Sequence, residues 1–130
     1  MQPEDNKAVV RRFLLDALGE LNAEIVDEVF APNHVLSSPE FGTEEISGTE
    51  IIKDAIEEFR AEVGEVECTI QRQIEEGEWV ATSYTLSEEH DVHMGILFSR
   101  VVAGNIEQSH VVASTVPAAE AASSARRAFN

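Results

Sequence analysis

The side chains best suited to proton transfer lie in the last third of this sequence: Tyr84, His93 and His110, with Asp91 and Gln108 near them in the chain. His110 stands among the apolar and β-branched residues of a stretch, Asn105–Thr115, that reads as a strand. A buried imidazole on a rigid strand stays neutral near pH 7, ready to accept a proton, which makes His110 the leading general acid/base candidate. Gln108, two residues earlier, shares its strand face and can orient the ring. Asp91 and His93 also share a face, with Gly95, Leu97 and Ser99, so His93 can polarise or deprotonate a ligand while a nearby acid adjusts its charge. The Tyr84 hydroxyl can donate to a carbonyl or enolate oxygen. Each has a plainer alternative: a hydrogen-bonded core histidine at 110, a polar strand edge at 90–93, a core tyrosine with a wet hydroxyl at 84.

The run Glu88-Glu89-His90-Asp91 with His93 holds the right donor types for zinc, iron or manganese. No second histidine cluster and no helix-borne His-Glu motif accompanies it, so a solvated acidic turn is the simpler reading and no metal or cofactor is expected. A glycine-rich phosphate loop, a Gly-x-Ser-x-Gly elbow and a cysteine redox pair are all missing from the sequence.

Positioning these groups requires a sheet with helices packed on it. Asp5 or Asn6 can cap a helix over 6–18 in which Val10, Phe13, Leu14, Ala17 and Leu18 recur at helical spacing, with Gly19 as the stop. Asn22 can cap a shorter one over 23–30 carrying Ile25, Val26, Val29 and Phe30, ahead of Pro32. A third, over 49–62, aligns Ile52, Ala55, Ile56 and Phe59 before Gly64. Phe13 and Phe59, on these apolar faces, are candidate ligand contacts. Residues 66–74 then alternate, Glu76-Gly77 turns the chain into 79–86, and Ala103-Gly104 joins strands over 94–102 and 105–115. With no helix between them, these strands pair antiparallel, so the pattern predicts an α+β domain with three N-terminal helices packed on a curved antiparallel sheet. His34 falls in a short link toward a first strand at 34–37.

A chain of 130 residues, 43% hydrophobic, supports one core. Its net charge of −16 repels nucleic acid and anionic membrane surfaces. The single cysteine, Cys68, fits a reducing cytoplasm, and no apolar run is long enough to span a membrane. Residues 117–130, small and polar, read as a flexible tail after a domain over 1–116. Strand 94–102 is apolar on both faces, Met94, Ile96 and Phe98 opposite Leu97, which predicts a homodimer through the outer sheet face with Trp79 at or near the contact.

Five segments fall in an order that resembles the SnoaL-like polyketide cyclases of the nuclear-transport-factor-2-like superfamily. They are Asn6-Lys7-Ala8-Val9-Val10-Arg11-Arg12-Phe13, Glu28-Val29-Phe30-Ala31-Pro32-Asn33-His34-Val35, Gly48-Thr49-Glu50-Ile51-Ile52, Glu76-Gly77-Glu78-Trp79-Val80-Ala81, and Gly95-Ile96-Leu97-Phe98 with Gly104-Asn105-Ile106. The resemblance implies a bent sheet folded around helices to leave a conical pocket, and relatives that commonly pair as dimers. It also implies that Tyr84 takes the place of an aromatic pocket wall, that His110 stands where a tryptophan is frequent, and that Leu97 occupies the position where ketosteroid-isomerase-type enzymes carry a pocket aspartate. The chain departs from the pattern at Leu97 and at Ser37-Ser38, where many relatives have a His-Asp-like pair. It also lacks the Arg-x-Asp of the limonene-epoxide-hydrolase relatives at Ser83-Tyr84-Thr85-Leu86, which disfavours that chemistry.

The function this implies is acid/base isomerisation or aldol-type cyclisation of a hydrophobic, polyketide-like small molecule. His110, His93 and Tyr84 are its catalytic candidates, and Gln108, Asp91, Leu97, Phe13 and Phe59 its substrate contacts. The alternative is a non-catalytic small-molecule-binding or dimerisation module of the same fold.

Overall fold

A computed structural model describes residues 5–120. Helix α1 spans Asn6–Arg12, its first turn capped by the Asp5 carboxylate, which accepts from the Lys7 N–H at 3.0 Å. It runs on as a π-helical turn over Phe13–Leu18. The wider turn matters for position: on an α-helix residues five apart point in different directions, and the i→i+5 spacing brings Phe13 and Leu18 to one side. Helix α2 is Glu24–Val29, with Asn22 Oδ1 accepting from the Glu24 N–H at 3.1 Å. Helix α3 is Glu50–Val63 and stops at Gly64, in the left-handed region at φ +74°.

Six strands form one sheet in the order β2-β1-β6-β5-β4-β3: β1 Phe30–Ser37, β2 Glu45–Ser47, β3 Glu67–Glu76, β4 Trp79–Ser87, β5 Asp91–Val102 and β6 Asn105–Pro117. The last four make the expected antiparallel meander. The expectation of a wholly antiparallel sheet preceded by all three helices is corrected at the other edge. β1 and β2 lie between α2 and α3, and β1 runs parallel to β6, making the sheet mixed. A parallel partner needs a long crossover, and here α3 and four strands, β2 to β5, supply it. The β1 register slips between Phe30 and Val35, where Pro32 has no N–H to offer the ladder. Further slips between Ile70 and Arg72 and between Arg100 and Val101 bend the sheet.

The core lies between the helices and the concave sheet face. Val9, Val10, Leu14 and Ala17 of the first helix and Val26 and Val29 of α2 pack on Val80, Leu97, Val101 and Ile106. Phe13 meets Phe30 edge-on at 4.8 Å between ring centroids. β6 continues to Pro117, one residue past the domain boundary read from the sequence, and most of the expected tail, 121–130, lies outside the described residues. Among the described residues no helix is long and apolar enough to cross a membrane.

Candidate functional site

The core does not close completely. Between α3 and the concave face of β4, β5 and β6 lies a cavity of about 420 Å³. Phe13 and Leu18 reach it from the first helix, Phe30 and Leu36 from β1, and Ile52, Ala55, Ile56 and Phe59 from successive turns of α3. The sheet contributes Tyr84, Leu86, His93, Leu97, Ser109 and Val111. Of all the lining residues only Tyr84, His93 and Ser109 bring polar side-chain atoms, so any charge that develops inside is handled by these groups in a poorly solvated space.

Tyr84 projects inward from β4, directly opposite Gly95 on β5. Gly95 makes room for it: a Cβ at that position would stand 2.7 Å from the phenol oxygen. Burial, and secondarily the neighbouring Cys68, raise the Tyr84 pKa, which keeps the hydroxyl protonated as a donor. Burial also pushes the Cys68 thiol up to about 11, which disfavours the thiolate and a nucleophilic role.

His93, on β5, packs edge-on against Phe59 at 5.2 Å between centroids. Its Nδ1 lies 2.8 Å from the Thr115 hydroxyl, and its Nε2 lies 3.3 Å from Glu88 Oε2. The Glu88 side chain is only 8% exposed, which puts a carboxylate and an imidazole together at one end of the apolar cavity. Of the acids expected to adjust the charge of His93, Asp91 or one near it, the partner is Glu88; Asp91, at the start of the strand level with Pro117, does not line the cavity. The turn closes instead through the Glu88 N–H donating to the Asp91 carbonyl at 2.9 Å, which folds Glu88 back onto His93. His90 and Glu89 are exposed, and among the described residues no three His, Cys, Asp or Glu side chains converge as a metal site.

His110 and Gln108 do share a face, but it is the outer one. Ser109 and Val111 line the cavity, so His110 between them points away, its Nδ1 2.8 Å from Ser37 Oγ and its ring tilted over Phe98. The expectation that His110 lines the pocket rested on its strand position, its apolar flanks and the family resemblance; unbroken alternation would also give it the face of Ile106, which is fully buried. A bulge at Glu107 breaks that alternation: Ile106 pairs with Val101, while Gln108 pairs with Arg100. Every side chain after the bulge is switched to the other face. Phe13, Phe59 and Leu97 do line the cavity.

One buried titratable group carries a contact that sequence reasoning missed. His34, with no solvent exposure, places Nε2 2.8 Å from Ser109 Oγ and sits edge-on to Phe30 at 4.7 Å. Burial lowers its pKa to about 4, so the ring is neutral at pH 7. The contact joins residues 75 apart in the chain across the β1–β6 pair, which no local pattern reveals.

The SnoaL-like domain family matches residues 10–113. Among solved structures, IdmH from Streptomyces antibioticus, a proposed polyketide cyclase, superposes with a TM-score of 0.75 at 16% identity over 85% of this chain and 93% of that one. A proposed ketosteroid isomerase from Kribbella flavida gives 0.66 at 21% identity over 84% and 77%. AclR from Streptomyces galilaeus, a proposed hydroxylase, gives 0.72 at 13% identity over 87% and 91%. No curated protein is similar enough to match.

Proposed function

The chain belongs to the SnoaL-like domain family, and we propose that within this family of cyclases and isomerases it is a cofactor-independent enzyme acting by acid/base chemistry on a hydrophobic, polyketide-like small molecule bound in the cavity beneath α3. The observation that carries the reading is the His93–Glu88 pair facing a cavity that is otherwise apolar apart from Tyr84 and Ser109. An ionised Glu88 accepts from Nε2–H of His93, and the Thr115 hydroxyl donates to Nδ1. A threonine hydroxyl turns easily to another acceptor, which frees the Nδ1 lone pair to take a proton from the carbon next to a ligand carbonyl. Glu88 stabilises the imidazolium that forms, the role an orienting carboxylate has in a triad. The Tyr84 hydroxyl donates to the oxygen as it becomes an enolate. Isomerisation returns the proton from His93 to a different carbon of the enolate. In ring closure, the enolate carbon attacks a second carbonyl and the proton goes to the resulting alkoxide. His110, on the outer face, takes no part.

The test is proton exchange. An apolar ketone incubated with the protein in D2O exchanges its α-hydrogens faster than in buffer alone, and the acceleration is lost in His93→Ala and reduced in Tyr84→Phe. Saturable binding of the ketone with no accelerated exchange would instead identify a binding module. That second reading has one observation in its favour: both nitrogens of His93 already have partners. The same proposal includes a homodimer through the outer sheet face, where Ile74, Trp79, Met94, Ile96, Phe98 and Val112 are exposed.

A further inference from the structure

Ser109 is the one polar side chain of the cavity that the proton-transfer scheme does not use. It stands on β6 opposite Ser99 of β5, whereas Tyr84 stands opposite Gly95, with its hydroxyl lying over that glycine. From Gly95 to Ser99 is roughly 13 Å of strand. Leu97 and Val111, paired across β5 and β6, line the cavity between the two levels. Two hydrogen-bonding groups therefore face the cavity with an apolar wall between them.

What Ser109 offers a ligand depends on where its own proton goes. Its Oγ lies 2.8 Å from Nε2 of the fully buried His34, and among the described residues its hydroxyl has no other partner. A neutral imidazole has one N–H, so this pair has two donors to satisfy. With the ring proton on Nε2, the serine proton is left as a buried donor against an apolar wall, a costly arrangement. With the ring proton on Nδ1, Ser109 donates to Nε2 and the ring donates to the Gly48 backbone. Gly48 supports this placement: its N–H already donates to the His34 carbonyl at 2.7 Å, so the Gly48 group that raises the pKa of the ring is its carbonyl, an acceptor. That contact is looser than the bond at Nε2, since Nδ1 has no partner at ordinary hydrogen-bond geometry. Ser99, across from Ser109, makes no side-chain hydrogen bond and so does not occupy the Ser109 oxygen. Having given its proton to His34, Ser109 presents oxygen lone pairs to the cavity.

We propose that Ser109, held by His34, is a hydrogen-bond acceptor that selects ligands carrying a hydroxyl remote from the carbonyl on which Tyr84 and His93 act. The inference rests on the cavity being the ligand site of the proposed reaction. Hydrogen bonds of about 2.8 Å at each end leave roughly 8–13 Å between the two ligand oxygens, the span of a two- or three-ring hydroxy ketone. An ether or a second ketone at the far position offers no proton and sets lone pair against lone pair. His34 holds the serine proton without taking it: a ring with a pKa of about 4 is too weak a base to leave an alkoxide, so Ser109 recognises the ligand and does not attack it.

Two ligands on one skeleton test the proposal: 6-propionyl-2-naphthol and its methyl ether, each titrated calorimetrically into the protein near pH 6, where the phenol is uncharged and His34 is neutral. Wild type binds the naphthol about five- to tenfold more tightly than the ether, the effect of one hydrogen bond. Ser109→Ala weakens the naphthol by that factor and leaves the ether within about twofold of its wild-type affinity. Ser109→Cys, of similar size and a weak acceptor, repeats this pattern should the alanine variant fold poorly. His34→Gln keeps the preference, because its amide oxygen can accept from Ser109 while its NH2 points toward Gly48. His34→Leu frees the serine proton for the ether oxygen, and the preference falls to about twofold or less while the ether still binds; a purely structural role for His34 would weaken both ligands alike. Nitrogen-15 spectra place the ring proton of His34 on Nδ1. Equal binding of the two ligands by wild type, a preference that survives Ser109→Ala, or a ring proton on Nε2 overturns the anchor and leaves the cavity as a ligand site. Failure of both ligands to bind wild-type protein overturns the ligand site itself.

Discussion

Replacing His34 by glutamine changes how stability depends on pH, by an amount the structure sets. In the folded protein the buried ring has a pKa of about 4, against 6.5 for an unburied histidine. Between those values the unfolded chain binds a proton at this position that the folded chain refuses, so stability rises with pH and is lost as pH falls from about 6.5 toward 4. The full shift corresponds to about 3.4 kcal/mol, of which about 2.5 kcal/mol is already lost on going from pH 7 to pH 4.5. The many carboxylates of this acidic chain also titrate in that range, and their contribution is removed by comparison with His34→Gln, which has the same carboxylates and no imidazole at 34. Urea unfolding followed by circular dichroism at pH 7 and pH 4.5 reads the difference. Wild type loses about 2.5 kcal/mol more than the variant over this interval. Parallel losses in the two proteins would refute the assignment of His34 as a buried neutral ring.

The other predictions concern the site and its walls. Glu88→Gln leaves the fold intact and lowers any proton-exchange rate by roughly 10²-fold or more, since the imidazolium loses its partner. Asp91→Asn, measured in the same exchange assay, leaves the rate within about twofold. Gly95→Ala keeps stability within about 1 kcal/mol, because the obstructing atoms are the movable end of Tyr84, yet it lowers exchange as much as Tyr84→Phe does; thermal melts and the D2O assay separate the two effects. Helix α3 has one fully buried side chain, Ile56, among half-buried neighbours, so its amides exchange with solvent faster than those of β5 and are protected by a bound ligand, as hydrogen-exchange mass spectrometry can show. Sedimentation at micromolar concentration gives twice the 14.3 kDa chain mass, and Phe98→Glu with Ile96→Lys reduces it to one.

Local periodicity carried the elements well, because an apolar stripe at helical spacing or an alternating strand has few other ways to bury its face. Helix α3 and the strands of the final meander fall where Ile52, Ile56 and Phe59, or Cys68 and Ile70, say they should. Alternation also placed His93 and Leu97 on one face and Tyr84 opposite Trp79. It failed at His110 because one extra residue, Glu107, reverses every side chain beyond it, and a bulge leaves no mark that hydrophobicity alone can read. The parallel β1–β6 pairing and the His34–Ser109 contact are long-range consequences of packing. Glu88 was visible only as one of several acids in a turn. What singles it out is the backbone bond from its N–H to Asp91, which aims it at His93.

The central claim is that the ligand site lies beneath α3 and is served by His93 and not by His110. It is tested most directly by observing the imidazole resonances of the histidines by NMR while an apolar ketone is titrated into the protein. Saturable shifts of His93, with His110 unchanged, are the predicted result. Shifts of His110 with His93 unmoved would place the ligand on the outer sheet face and contradict the account.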